Sequence, residues 1–395
     1  MSATVPLSLP EPPAELKAHS QRLKERITSE IRKENGSIGF DRYMDLALYE
    51  PGLGYYTAGL YKFGDVGDFI TAPETSRVFS WCLASQCRQI MQELDIDVII
   101  EFGAGSGRMA CDLLERLKAL GVLPDQYLIM EISAELRQRQ KELFKEHHPE
   151  IYPVITWLDQ LPENRVNAIV LANEVMDALP VKRVIIKNGE IFEQKVSQES
   201  GHLCYVQEPL TEIANVYCQR YLSGLLPGNM DGYTTEAHIN LLPWLKSLDG
   251  FLGRGAVLLV DYGYSAREYY SPERNCGTLL CHYRHRAHDD PFWYPGLQDI
   301  TASVNFTAVS DFAAEHGWNL LGYTTQSGFL LACGLDQIYA EILQSGEVDQ
   351  ISLNREVQAL TLPGAMGERF RVMALGRDSA LQLQGMNFRD LSHSL

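Results

Sequence analysis

The run Asp97-Val98-Ile99-Ile100-Glu101-Phe102-Gly103-Ala104-Gly105-Ser106-Gly107 constrains this chain most, because an apolar stretch ends in three alternating glycines and reopens as a helix. Val98, Ile99, Ile100 and Phe102 suit a buried parallel strand. Gly103, Gly105 and Gly107 permit a sharp turn and a close approach of the backbone to a ligand, with no Cβ in the way. Met109 to Leu120 then carries helical periodicity. The spacing is G-x-G-x-G, not the G-x-G-x-x-G of a dinucleotide site, and Glu101 stands just before the turn. A carboxylate there repels a pyrophosphate and attracts a cation. The turn therefore fits a ligand with an α-amino group and a sulfonium, S-adenosylmethionine, better than NAD or FAD. Glycines after a strand can also serve close strand-to-helix packing alone.

Tyr127-Leu128-Ile129-Met130-Glu131 reads as the next strand and ends in an acid, where a Rossmann-like βαβ unit places a carboxylate for both ribose hydroxyls. The bland reading is a solvated loop residue. From Asp97 onward strand and helix alternate, which predicts an α/β fold with a parallel sheet covered by helices on both faces. Strands are expected at 97–102, 126–131, 152–156, 167–172 and 256–261, with a helix at 309–316 and a terminal strand pair from the apolar runs 319–323 and 329–332.

Around this core the predicted organisation is a flexible N-terminus (1–13), a helical segment with a Gly-Asp-Phe loop (14–94), core (95–183), a β-rich insertion with a return helix (184–250), core again (251–332) and a helical and loop tail (333–395). Ala14 to Lys33 is an amphipathic helix, and Ser76 caps another to about Leu94. In the insertion, Val184-Ile185-Ile186, Lys187-Asn188-Gly189-Glu190 and Ile191-Phe192-Glu193 read as strand, turn and strand.

A net charge of −17 argues against a nucleic-acid partner, which needs a basic surface. The eight cysteines include no CxxC pair and read as reduced thiols. Cys281, His282, His285 and His288 form the one local concentration of potential ligands, read as a polar loop rather than a metal site. No run approaches the ~18 apolar residues of a membrane span, and Met1 to Pro13 lacks the pattern of a signal peptide, so the expectation is a cytoplasmic protein without membrane insertion.

Asn173, Glu174 and Asp177 fall just past the fourth strand, at the edge that lines the ligand crevice in open α/β sheets. Methyl transfer from a sulfonium is an in-line displacement, for which carboxylates can orient a guanidinium or amine. A helix cap at Glu174 and a turn at Asp177 is the alternative. Asp261 and Tyr262 end the fifth strand at the same edge, although Tyr262 also suits ordinary packing.

These pieces resemble the MidA family of S-adenosylmethionine-dependent methyltransferases, which includes a mitochondrial arginine methyltransferase that assists respiratory complex I assembly. The resemblance runs from about Ser37 to Arg377 through Ala47-Leu48-Tyr49-Glu50-Pro51-Gly52-Leu53-Gly54-Tyr55-Tyr56, Gly67-Asp68-Phe69-Ile70-Thr71-Ala72-Pro73-Glu74, the glycine turn, Asn173-Glu174-Val175-Met176-Asp177-Ala178-Leu179-Pro180, Asp261-Tyr262-Gly263-Tyr264 and Met366-Gly367-Glu368-Arg369-Phe370. It implies a Rossmann-like class I methyltransferase with a mostly parallel, seven-stranded sheet. It also implies a cofactor pocket of Glu101, Gly103, Gly105, Gly107, Glu131 and Asn173 shared with Asp68 and Thr71 of the Gly-Asp-Phe loop. The implied substrate is a protein arginine, with a respiratory-complex subunit as one candidate, and Glu174, Asp177 and Asn173 do the catalytic work. The chain departs from the family at Ser303, where a His is expected, and at Asn305, where an Asp is expected. The paired glutamates on one loop that other protein arginine methyltransferases use are absent, so arginine specificity comes from the resemblance alone. A non-catalytic assembly protein that keeps the fold is the competing reading, with a dehydrogenase third.

Overall fold

In the computed structural model, which describes residues 9–59, 71–224 and 230–395, the apolar runs become strands of one sheet. Along the chain these are β1 Val98–Phe102, β2 Gln126–Met130, β3 Ile155–Leu158, β4 Val166–Asn173, β5 Leu252–Tyr264, β6 Asn319–Thr325 and β7 Phe370–Arg377. Their order is β6-β7-β5-β4-β1-β2-β3, and Val304–Asn305 adds a short eighth strand against β5. β1 to β5 pair in parallel, whereas β7 runs antiparallel to both β5 and β6. Only β7 runs against the others, so the sheet of the described residues is mixed but mostly parallel, as expected, and the short strand Val304–Asn305 makes eight strands where seven were expected. All but the last residue of β7 is buried, and a strand covered on both faces carries no mark of its direction in its apolar content.

Two local expectations are also corrected. The run 329–332 is not a strand but part of the helix Gln326–Ala332, where Thr325 Oγ1 accepts the Gly328 amide at 3.1 Å as an N-cap. The partner of β6 is β7, from the stretch read as helical tail. Residues 152–154 form a 3-10 turn around Pro153, so the third strand starts only at Ile155.

The chain divides into two units. One comprises Ile70–Asp177, Leu241–Tyr269 and Ser303–Leu395 and holds the sheet. Its core gathers Ile99, Leu113, Ile129, Leu171, Leu258 and Val372 with the inner faces of the helices Arg77–Leu94 and Arg108–Ala119. The other comprises Met1–Phe69, Ala178–Asn240 and Tyr270–Ala302. There the helix Ala14–Lys33 buries Leu23, Ile27 and Ile31 with Tyr43, Val181, Val196 and Ile300. Its hairpin Lys182–Lys187 and Glu190–Glu199 turns at Asn188 and Gly189, with φ of +50° and +80°, the pair of positive values that a two-residue hairpin turn demands. Among the described residues no helix is long and apolar enough to cross a membrane.

Candidate active site

Three parallel strands deliver the site. Phe102 of β1 pairs with Met130 of β2 and with Ala172 of β4, so Gly103, Glu131 and Asn173 leave the sheet at one level. With strands spaced about 4.8 Å, the backbones of Glu131 and Asn173 flank the glycine turn roughly 10 Å apart. The turn has φ of +64°, +55° and +88° at Gly103, Gly105 and Gly107, a left-handed region that favours glycine. A Cβ on Gly107 would also meet Gln140 Cγ at 3.2 Å. The Gly103 amide donates to Met130 O at 2.9 Å, which ties the turn to β2.

Glu101 does not face solvent ahead of the turn. It is 1% exposed, and the Tyr127 hydroxyl donates to its Oε2 at 2.8 Å. Burial, opposed by that hydrogen bond and reinforced by Glu131, pushes its carboxyl up to about 8. A cation arriving nearby favours the ionised form and offsets the cost of burying it. Glu131 is also buried, and its Oε1 accepts the Ser133 amide at 2.9 Å. The residue that follows, Ile132, is 63% exposed. An apolar surface thus stands beside the acid, suited to cover by a flat aromatic ring.

Gln140 is a site residue that the sequence reading missed. It is fully buried, and its Nε2 donates to Gly105 O at 2.8 Å and to Glu131 Oε2 at 3.4 Å, while its Oε1 accepts from Trp157 Nε1 at 2.8 Å. One amide thus locks the turn, the acid and the third strand together. The signal was present: Leu136, Gln140 and Phe144 recur every four residues on the inner face of the helix Ala134–His147, and a polar residue in that slot needs partners.

At the end of β4, Asn173 Nδ2 donates to Glu174 Oε1 at 3.1 Å, while Asn173 Oδ1 is buried without a hydrogen-bond partner among the described residues. An orphaned acceptor in this place fits a ligand that brings a donor, such as an ammonium. Glu174 has φ +53°, uncommon for a residue with a side chain. Asp177 is buried. Asp261, read as facing the crevice, is instead fully buried and accepts the amides of Met176 at 2.9 Å and of Val175 and Asp177 at 3.3 Å. Burial and then the charge of Glu174 push its carboxyl above the usual range, against the pull of those amides.

Thr71 precedes the short helix Ala72–Thr75, whose Glu74 accepts a hydrogen bond from Ser106 of the glycine turn. Asp68 and the rest of the Gly-Asp-Phe loop through Ile70 lie outside the described residues. Asn305 caps the helix Phe306–Glu315, its Oδ1 accepting the Ala308 amide at 3.3 Å. Asn and Asp cap equally well, so this departure from the family leaves the local fold intact. Cys281 pairs across a hairpin with His288, and His282 with Ala287. Among the described residues no group of three or more His, Cys, Asp or Glu side chains is placed to hold a metal ion.

A family model described as "Putative S-adenosyl-L-methionine-dependent methyltransferase" matches residues 82–324. The chain is 28% identical to the protein arginine methyltransferase NDUFAF7 homolog, mitochondrial, of Drosophila melanogaster, over 92% of this chain and 87% of that protein. It is 27% identical to the mitochondrial protein arginine methyltransferase NDUFAF7 of Danio rerio, over 86% and 83% of the two chains. Among solved structures, a Burkholderia thailandensis protein named a "likely methyl transferase" and bound to S-adenosyl-homocysteine is 39% identical, with 98% of this chain and 100% of that one covered and a TM-score of 0.92.

Proposed function

Because this chain belongs to a family of S-adenosyl-L-methionine-dependent methyltransferases, we propose that it methylates an arginine side chain of a protein, as the names of its curated relatives state for them. The observation that carries the site assignment is the meeting, at one sheet edge, of the left-handed glycine turn, the buried acids Glu101 and Glu131, and Asn173 with its orphaned Oδ1. Glu131 would hold the ribose hydroxyls, Ile132 the adenine face, and the glycine turn and Asn173 the methionine part, with Glu101 supplying negative charge beneath and Thr71 at the rim. When bound, S-adenosylmethionine supplies an electrophilic methyl carbon on a sulfonium.

The protein's part is alignment and proton management. Glu174 and Asp177 accept N–H bonds from the guanidinium, which aims one nitrogen's electron pair along the line of displacement. That nitrogen forms the new N–C bond, the S–C pair stays on sulfur, and the nitrogen's proton passes to a carboxylate or to water. A net charge of −17 favours approach of a cationic, arginine-bearing substrate. A respiratory-complex subunit is the proposed protein, on the resemblance alone. Relatives are named as mitochondrial, and all eight cysteines here are free thiols. We therefore keep a reducing compartment, the cytoplasm in the sequence reading, as the proposed location. Nothing in the comparisons favours the non-catalytic alternative.

Alanine at both Glu174 and Asp177 tests the assignment. S-adenosylmethionine affinity by calorimetry should stay within about threefold while methyl transfer falls ~10²-fold or more, because alignment is lost and cofactor contacts persist. Transfer at the wild-type rate would make both acids structural.

A further inference from the structure

The turn that follows β4 is fastened to its neighbour strand. Asp261 Oδ2 accepts three consecutive amides, Val175 at 3.3 Å, Met176 at 2.9 Å and Asp177 at 3.3 Å, and Oδ1 accepts the Tyr262 amide at 2.9 Å. Successive N–H groups converging on one oxygen form the concavity with which a backbone binds an anion. Here the acceptor in that concavity is a side-chain carboxyl of β5, fully buried. The preceding residue, Glu174, is held at φ +53°, and its own amide donates to Val260 O at 2.9 Å. A strained backbone persists only where its surroundings over-determine it. Two adjacent residues of β5, Val260 and Asp261, do so for this turn.

The side chains that this fastening aims are Glu174 and Asp177. We infer that Asp261 is a positioning residue for methyl transfer, fixing the Glu174–Asp177 turn through three amides so that the acids are directed before the acceptor arrives. The inference rests on the methyltransferase reading above. Asparagine at 261 keeps the volume but must turn an NH2 toward either the Tyr262 amide or the three amides of the turn, donor against donor. Glutamate keeps the carboxyl but displaces its oxygens by one methylene.

Both variants should lose ~30-fold or more in kcat with the KM for S-adenosylmethionine changed by less than about threefold, a split that general loosening of the fold does not produce. Amide hydrogen exchange over 174–178 should quicken at least ~10-fold in Asp261→Asn while β1 and β2 keep their protection. Unchanged kcat alongside faster exchange would overturn the inference, as would a parallel loss of cofactor affinity and of protection across the sheet. The wild type gives a test that needs no variant to fold: Val175, Met176 and Asp177 amides exchanging as fast as an open loop would refute the fastening. Absence of transfer by the wild type counts against the functional reading, whereas wild-type turnover in Asp261→Asn counts against Asp261 alone.

Discussion

Glu101→Gln should make the cofactor-free protein more stable, by a margin that opens above about pH 5 and is greatest at alkaline pH. The Glu101 carboxyl is raised from 4.5 to about 8, chiefly because its charged form is buried. The folded protein therefore holds this proton more tightly than the unfolded chain does. Its contribution to stability is complete below about pH 4.5 and is lost as the pH rises through about 8. At about 1.4 kcal/mol for each pH unit, that interval corresponds to roughly 5 kcal/mol, an upper figure because a buried site relaxes when it ionises. Glutamine is neutral throughout and can still accept the Tyr127 hydroxyl. Urea unfolding at pH 5, 7 and 8.5 should then show the two proteins within about 1 kcal/mol at pH 5, and the variant ahead by about 2 kcal/mol or more at pH 8.5. Asp261 is raised as well, but it is present in both proteins and cancels in the difference. Adding S-adenosylmethionine should flatten the wild-type decline, since a bound cation favours the ionised carboxyl. Parallel pH curves for the two proteins would refute the reasoning.

Gly105→Val should abolish S-adenosylmethionine binding in calorimetry, because a β-branched residue is strained at φ +55° and brings bulk to the crevice; unchanged affinity would move the cofactor away from the turn. Glu131→Ala should weaken cofactor binding by about 1.5–3 kcal/mol, the scale of charge-assisted hydrogen bonds; a negligible change would place the ribose elsewhere. Asn305→Asp should leave the melting temperature within a few degrees and Asn305→Ala should lower stability by about 1 kcal/mol, as expected of an N-cap; equal stability of all three would deny the cap.

Local chemistry made the glycine turn and its flanking strands legible. Three alternating glycines after an apolar run mark a sharp left-handed turn, and the Asn188-Gly189 hairpin and the Ser76 cap follow from short-range preferences in the same way. The direction of β7 was not legible, because a fully buried strand reads alike in either sense. Nor was the true place of Asp261. An acid at a strand end reads as a crevice residue, and only the fold shows three amides of a distant segment closing on it. Glu101 was read as a site residue from its place before the turn, whereas its hydrogen bond from Tyr127, 26 residues away and on the next strand, comes from the sheet pairing alone. Gln140 lay in plain view as a polar residue in an apolar slot, but its partners are Gly105 of the turn, Glu131 and Trp157, which only tertiary packing assembles.

The decisive measurement is methyl transfer itself, read to the level of the modified atom. Purified protein, S-adenosylmethionine labelled in its methyl group, and a lysate from cells lacking this gene, whose acceptor sites remain unmodified, are incubated together and the labelled protein is hydrolysed. The expected result is label in one or a few proteins, released as methylarginine, and lost with the alanine pair at Glu174 and Asp177. A wild-type protein that binds the cofactor but labels nothing, or that labels a residue other than arginine, would contradict the account.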